Sequence, residues 1–278
     1  MRLTYPILCL LSTASVQATL IEYDGFDYPV SSSEPAGWVS DGDSDHASVE
    51  AGSLSFPDYA ASTGNQMALQ NKTADYLHSF AATDLAVGET VYFSLLMQID
   101  SVADFGSQFN VVFRLYDAAD PNGSAVSVGM GSSTSGSNTF GFSVDNRNRG
   151  WGHTDAVTGP EVYAFGETHL VVGAYTRGAS SGDGEVKLWI DPSSSSFGGA
   201  EPAVSLSEAS YQSDAVWDTF EIASSGSSSL PSDWSVDEFR VGTDWASVVP
   251  ATIPEPSTYA LLLGVGVALM AYRRRTQR

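Results

Sequence analysis

The sequence predicts an all-β fold, an antiparallel β-sandwich of the jelly-roll type, with a single transmembrane helix at the C-terminal end. Short apolar or alternating runs recur along the chain, as in 91–97 and 109–116, and turn residues separate them. Glycine and serine are abundant, and no long helical periodicity interrupts the pattern. About 230 residues lie between the two ends, which suits one sandwich with a core of its own.

The predicted strands are spaced as in a sandwich, with turns rich in Gly, Ser, Asp and Asn between them. The clearest ones are 91–97, 109–116, 140–144, 169–175, 186–190, 216–222 and 234–241. One hairpin is especially well marked: residues 168–176 lead into a turn-rich loop, and the chain returns over 185–190 before Asp191-Pro192 ends the strand.

This hairpin, the opening segment 23–28 and the closing segment 236–242 resemble the laminin G-like modules of the concanavalin A-like family. The matching pieces are short and cover about a fifth of the body. The resemblance implies a two-sheet sandwich in which the first and last strands lie close together.

The first 18 residues have the features of a signal peptide. A weakly positive start is followed by an apolar run at 5–11, and residues 16–18 fit the small-x-small cleavage rule. We expect cleavage after Ala18, so that 1–18 is removed and the β-sandwich domain occupies 19–242. Cys9 is the only cysteine of the chain, so the mature protein would contain no disulfide or thiolate metal site.

Three parts follow one another at the C-terminal end: a Pro-Glu-Pro motif, an apolar stretch and an arginine cluster. The motif residues Pro254, Glu255 and Pro256 end a predicted linker over 243–256, and a predicted membrane helix with an Arg-rich tail occupies 257–278. Arg273, Arg274 and Arg275 form the cluster. In this order the three parts resemble the PEP-CTERM sorting domain. The resemblance implies that an exosortase-type enzyme removes the tail; a permanent single-span anchor is the alternative.

The apolar stretch has nearly the length that a membrane requires. Residues 257–272 would span about 24 Å as a helix, and interfacial tyrosines and arginines can compensate for a hydrocarbon core of about 30 Å. The arginine cluster would stay cytoplasmic, which leaves the body outside that membrane. We therefore expect an exported protein whose precursor is anchored in the inner membrane before it reaches the cell surface or the extracellular space.

The chain is strongly acidic, with 33 Asp and Glu against 12 Lys and Arg and a net charge of −21. Five of the basic residues lie in the terminal segments, so the body is still more acidic. Such a surface repels nucleic acid and anionic lipid. It suits solubility in salty water or the binding of divalent cations, and both interpretations remain open.

Two acidic patterns are candidate calcium sites. Asp41, Asp43 and Asp45 place three carboxylates at alternate positions, as calcium loops do, but the spacing departs from that of an EF-hand. A solvated acidic loop is the alternative. If the ends of the domain meet, Asp237 would join Asp24 or Asp27 in a second cation site. Calcium is thus the one cofactor that the sequence suggests.

One aromatic loop is a candidate ligand-binding site. Trp151 lies in a loop with Arg147 and Arg149, two of the few basic residues of the body. Exposed aromatic rings stack on sugars, whereas most Trp residues of a sandwich belong to the core. An extracellular polysaccharide is the partner that this loop would serve, and an ordinary structured turn is the alternative.

The sequence contains no complete catalytic set. The Gly-x-Ser-x-Gly pattern at 178–182 lies in a hairpin loop rather than in a strand–turn–helix elbow, and the four histidines are scattered. Glu22, Asp24 and Asp27 are similar to the acidic pattern of laminarinase-type glycoside hydrolases, but the third position is Asp instead of Glu. The leading hypothesis is therefore a non-enzymatic, exosortase-sorted surface or matrix protein associated with exopolysaccharide. A calcium-dependent lectin-like module is the second hypothesis, and a glycoside hydrolase or lyase the third.

Overall fold

The computed structural model confirms the predicted fold: it consists almost entirely of antiparallel strands in two sheets that pack face to face. The residues that the structure describes are 19–33, 35–40, 47–70, 75–100, 109–120, 125–132, 137–145, 157–180, 183–210, 216–223 and 233–252.

The strands are numbered in chain order. They are β1 (Leu20–Asp24), β2 (Trp38–Ser40), β3 (Ala47–Ala51), β4 (Asn65–Gln70), β5 (Asp75–Asp84), β6 (Thr90–Ile99), β7 (Phe109–Tyr116), β8 (Ala125–Gly131), β9 (Thr139–Asp145), β10 (Val157–Thr158), β11 (Tyr163–Ala164), β12 (Thr168–Thr176), β13 (Gly184–Ile190), β14 (Leu206–Ser210), β15 (Val216–Ala223) and β16 (Asp233–Gly242). A 3₁₀ helix at Ser194–Ser196 and one short helix, α1 (Trp245–Val248), complete the elements of the described residues.

The strand order shows how the chain alternates between the two sheets. The first sheet has the order β14-β13-β12-β6-β16-β4-β3, with β1 also paired to β16, and the second has the order β10-β9-β8-β7-β15-β5-β2, with β11 paired to β9. Some strands that follow one another in sequence, such as β15 and β16, lie in different sheets, whereas others, such as β12 and β13, pair within one sheet. Crossing between sheets in this way is typical of sandwiches.

Two expectations about strand pairing are confirmed. The hairpin of β12 and β13 pairs Val171 with Ile190 and Thr176 with Glu185. The first and last strands meet, since β1 runs antiparallel to β16 and Asp24 lies opposite Phe239.

Aromatic residues fill the space between the sheets. Phe220 of the second sheet lies 5.0 Å from Phe93 and 4.5 Å from Phe239, both in the first sheet, as measured between ring centroids. All three side chains are fully or almost fully buried. In strands of the second sheet such as β9, apolar residues that face the core alternate with polar or small ones, which therefore lie on the outer face of that sheet.

The outer face of the first sheet is covered by the segment that follows β16. Trp245 of α1 packs at 5.1 Å from Trp189, and its Nε1 donates to the Ser196 carbonyl oxygen at 3.0 Å. Gly198 N donates to the Val249 carbonyl oxygen at 2.7 Å, and Ala251 forms a β-bridge with Tyr59. Residues 243–252, predicted as the first part of the linker, therefore pack on the domain.

The predicted signal peptide 1–18, the last part of the predicted linker, 253–256, and the predicted membrane helix and tail, 257–278, lie outside the described residues. Within the described ranges, no helix has both the length and the apolar character needed to cross a membrane.

Gly173 of β12 provides a test of the core packing. A Cβ atom at this position would overlap the ring of Phe93 on the neighbouring strand, so Gly173→Ala should lower the free energy of unfolding by about 1–3 kcal/mol. The measurement is urea denaturation. Gly199→Ala is the matched control, because its Cβ would meet nothing closer than 3.4 Å, and equal stability of the two variants would contradict the close contact of Gly173 with Phe93.

Candidate functional site

A row of polar side chains crosses the outer face of the second sheet. Asp145 of β9 lies opposite Ser127 of β8, Ser127 lies opposite Arg114 of β7, and Arg114 lies opposite Glu221 of β15. We call these four residues the polar row. Each comes from a different strand, so the row runs perpendicular to the chain direction across the sheet.

Strand alternation explains why these side chains share one face. Phe113 and Leu115 of β7 are buried in the core between the sheets, so Arg114 between them points to the opposite side. In β15, Phe220 and Ile222 belong to the same core, which turns Glu221 outward.

Arg114 and Glu221 form the most constrained pair of the row. Arg114 Nε donates to Glu221 Oε1 at 3.1 Å, while Arg114 Nη2 donates to Glu221 Oε2. Both side chains are about 95 % or more buried. Removing one partner of such a pair is strongly destabilising, because the other charge would stay buried without compensation. The Tyr116 ring lies on the same face, 5.1 Å from Arg114 Cζ.

Small residues lie beside the polar row. Ser143 of β9 pairs with Gly129 of β8, and two residues further along the strands Gly141 pairs with Gly131. The Ser143 side chain is almost fully buried, and its Oγ has no hydrogen-bond partner. A buried hydroxyl without a partner carries an energetic cost, and here the segment 158–161 lies over the same part of the sheet.

A second group of polar residues surrounds Asp237 in the first sheet. The Asp237 carboxylate is fully buried, and it accepts hydrogen bonds from Leu54 N at 2.9 Å and Glu238 N at 2.8 Å. Burial raises the pKa of Asp237 to about 8; the backbone donors oppose this shift, and the charges of Glu238 and Asp24 add to it.

A β-bulge between Asp237 and Arg240 shapes this group. Glu238 within the bulge has a φ of 54°, an uncommon conformation for a residue with a side chain. Its carboxylate accepts from Tyr23 Oη at 3.0 Å and from Arg240 Nη2 at 2.8 Å. Side-chain hydrogen bonds from β1 and from β16 itself therefore hold the bulge in place.

The structure places the predicted cation ligands Asp24 and Asp237 on the paired strands β1 and β16, and Asp27 on the exposed turn after β1. The Asp24 carboxylate accepts three hydrogen bonds, from Phe26 N, Tyr28 Oη and Trp38 Nε1, at 2.7–2.8 Å. Among the residues described, no group of three or more Asp, Glu, His or Cys side chains is arranged to hold a metal ion. A calcium site at these positions stays a prediction.

Each histidine among the described residues, His78 and His169, lies beside a carboxylate and within the packed protein. His169 Nδ1 lies 2.8 Å from Asp191 Oδ2, and its Nε2 lies 3.4 Å from the Ala164 carbonyl oxygen. Burial lowers the pKa of His169, but the hydrogen bond to Asp191 and its charge outweigh this effect and leave the pKa raised. His78 packs against Trp38 in the core, with its Nε2 3.6 Å from Glu22 Oε1.

The other predicted site residues lie outside the described residues. They are Asp41, Asp43 and Asp45, Arg147, Arg149 and Trp151, Pro254, Glu255 and Pro256, and Arg273, Arg274 and Arg275. Their predicted roles remain predictions.

None of the four residues of the polar row is among the site residues that the sequence predicts. The signal available was an isolated polar residue between apolar ones, as in Phe113-Arg114-Leu115 and Phe220-Glu221-Ile222. That pattern marks an outward position, but the partner on the neighbouring strand depends on a register between distant segments.

The raised pKa of Asp237 predicts a pH-dependent stability. In chelator-treated, metal-free buffer the folded state binds a proton that the unfolded state has released, so the free energy of unfolding should fall as the pH rises from about 4 to 8. Asp237→Asn removes this titration and should flatten the profile of chemical denaturation. Asp58→Asn, at an exposed carboxylate, is the control. An unchanged slope in Asp237→Asn would contradict the prediction.

Comparison with known proteins identifies one motif and the fold. Residues 252–275 match the PEP-CTERM protein-sorting motif. The fold is similar to that of an alginate lyase of known structure, with a TM-score of 0.51 and 13 % sequence identity. The match covers 81 % of this chain and 96 % of the lyase chain. The fold is also similar to that of a carbohydrate esterase from the Shiga toxin-encoding bacteriophage phi24B, with a TM-score of 0.50 and 12 % identity. This match covers 82 % of this chain and 100 % of the esterase chain. No curated protein sequence matches the chain. The protein thus carries a PEP-CTERM sorting motif behind a body that has an antiparallel β-sandwich fold.

Proposed function

We propose that this protein is a non-catalytic surface protein that binds a polysaccharide along the polar row. Its PEP-CTERM motif indicates an extracellular protein sorted by an exosortase-type enzyme. The observation that supports the proposal is the cross-strand row of Asp145, Ser127, Arg114 and Glu221 on the outer face of the second sheet.

The chemistry of the row suits a polymer rich in hydroxyl groups. Adjacent strands are about 4.8 Å apart, so a row over four strands extends about 14 Å, which is room for several sugar units. The mutual hydrogen bonds of Arg114 and Glu221 hold both side chains in fixed positions, which lowers the entropy lost on binding. Tyr116 adds an aromatic ring on the same face of the sheet.

The same geometry favours binding over catalysis. A general acid or base must be able to reach a proton of the substrate, whereas Arg114 and Glu221 are engaged with each other. Solved structures with this fold include a lyase and an esterase, and such different activities on one fold mean that the site decides the function. A lyase or hydrolase that acts at the row is the second candidate, and a calcium-dependent lectin is compatible with the first.

Glycan binding is the direct test of this function. The purified protein is applied to an array of bacterial and algal polysaccharides, with calcium and with chelator, and the affinity for each hit is measured by calorimetry. We expect binding, and we expect Tyr116→Phe to weaken it about two- to tenfold through the loss of one hydroxyl hydrogen bond.

Tyr23→Phe is the matched control, because Tyr23 also lies beside an arginine, with Arg240 Cζ 4.2 Å from its ring, but in the first sheet. Binding that is weakened equally by both variants, or an array without hits, would contradict the proposal. Release of unsaturated sugars or new reducing ends from a bound polysaccharide would instead establish the enzymatic candidate.

The sorting half of the proposal predicts the mass of the native protein. Purified from its own cells, the protein should lack residues 1–18 and the C-terminal tail, and the tail should be retained in cells without exosortase activity. An intact C-terminus in both strains would show a permanent anchor and would contradict processing.

A further inference from the structure

The start of the domain is fixed to its C-terminal end by a specific hydrogen bond. The backbone N of Thr19 donates to Asp244 Oδ2 at 2.9 Å. A second hydrogen bond, from Thr243 N to the Thr19 carbonyl oxygen at 3.1 Å, holds the same residue from its other side. Thr19 is the residue that follows the predicted signal-peptide cleavage site.

Cleavage after Ala18 would change the chemistry of this contact. The amide nitrogen of Thr19 has one hydrogen to donate, whereas the α-amino group that cleavage creates is a cation with three hydrogens at neutral pH. We propose that Asp244 is the binding site for the newly formed α-ammonium group of Thr19, so that removal of the signal peptide completes the docking of β1. The inference rests on the proposed export of the protein and adds a function to one of its carboxylates.

Both partners of this ion pair are held in place before cleavage. Asp244 is the N-cap of α1, and its Oδ1 accepts from Ser247 N at 2.9 Å, which leaves Oδ2 directed at Thr19. The cation belongs to the main chain, next to the first residue of the β1–β16 ladder, where Leu20 pairs with Gly242. Most exposed ion pairs are weak because two long side chains lose conformational freedom when they pair. Here that entropic cost is small, because the cation is on the main chain and Asp244 is already held by Ser247 N. Hydrogen bonds between ionised groups are also about twice as strong as neutral ones.

The position of the contact gives it a structural effect. Among the strands described, β1 pairs only with β16, so its five residues are held by a single ladder. A charged anchor at the first residue opposes fraying of that strand. The precursor, with a neutral amide at this position, is expected to hold β1 less firmly than the mature protein does.

The test compares mature wild-type protein with Asp244→Asn, both exported and purified from cells. Asparagine keeps the N-cap role and removes the charge. The readouts are the N-terminal residue by mass spectrometry and the rate at which an acylating reagent modifies the α-amino group at pH 7. Because the ion pair favours the protonated α-amino group, which does not react, we expect this reaction to be about threefold slower than in Asp244→Asn, and high salt should reduce the difference.

A second variant separates the ion pair from the cap. Insertion of Gly-Ser after Ala18 moves the α-amino group away from Asp244 while the cleavage rule is preserved. We expect Asp244→Asn to lower Tm by about 2–4 °C in the normal protein and by clearly less in the inserted one.

Equal acylation rates in wild type and Asp244→Asn, or equal Tm shifts in both backgrounds, would overturn the proposal. A mature N-terminus other than Thr19 would overturn it as well. None of these results decides whether the polar row binds polysaccharide, which the glycan array tests separately.

Discussion

The hydrogen bonding of β16 is the constraint on which the rest of the structure depends. This strand is paired with β6 and β4 within the first sheet, and β1 also pairs with it, so it joins the start, the middle and the end of the chain. Its bulge at Asp237–Arg240 directs two carboxylates into the protein, and the segment after it covers the outer face of the sheet. A change in the register of β16 would therefore displace the chain ends and the buried Asp237 together.

The two sheets differ in their outer faces, one apolar and covered, the other polar. The first sheet is covered by an apolar cluster that includes Trp189, Trp245 and Val248. The second sheet carries the polar row, whose buried ion pair is a weak source of stability, because desolvating two charges offsets their attraction. A protein that needed only a stable sandwich would be served as well by apolar residues at Arg114 and Glu221. Their presence supports the proposal that a ligand binds on this sheet.

The sequence predicts the local features of this protein well. The alternation in β12 and β13 predicts their hairpin, and the resemblance of the two end segments predicts the pairing of β1 with β16. The polar row could not be predicted, because Arg114 and Glu221 are 107 residues apart and only the register of the sheet brings them together. Residues 243–252 look like a linker in sequence, yet Trp245, Val248 and Val249 are buried because the outer face of the first sheet offers them an apolar surface.

Hydrogen exchange with a bound polysaccharide tests the central claim most directly, since it reports which backbone amides a ligand protects. We expect new protection in Phe109–Tyr116, Ala125–Gly131 and Val216–Ala223 of the second sheet, with the first sheet and residues 243–252 unchanged. Protection confined to the first sheet, with the second unaffected, would contradict the assignment of the polar row as the binding surface.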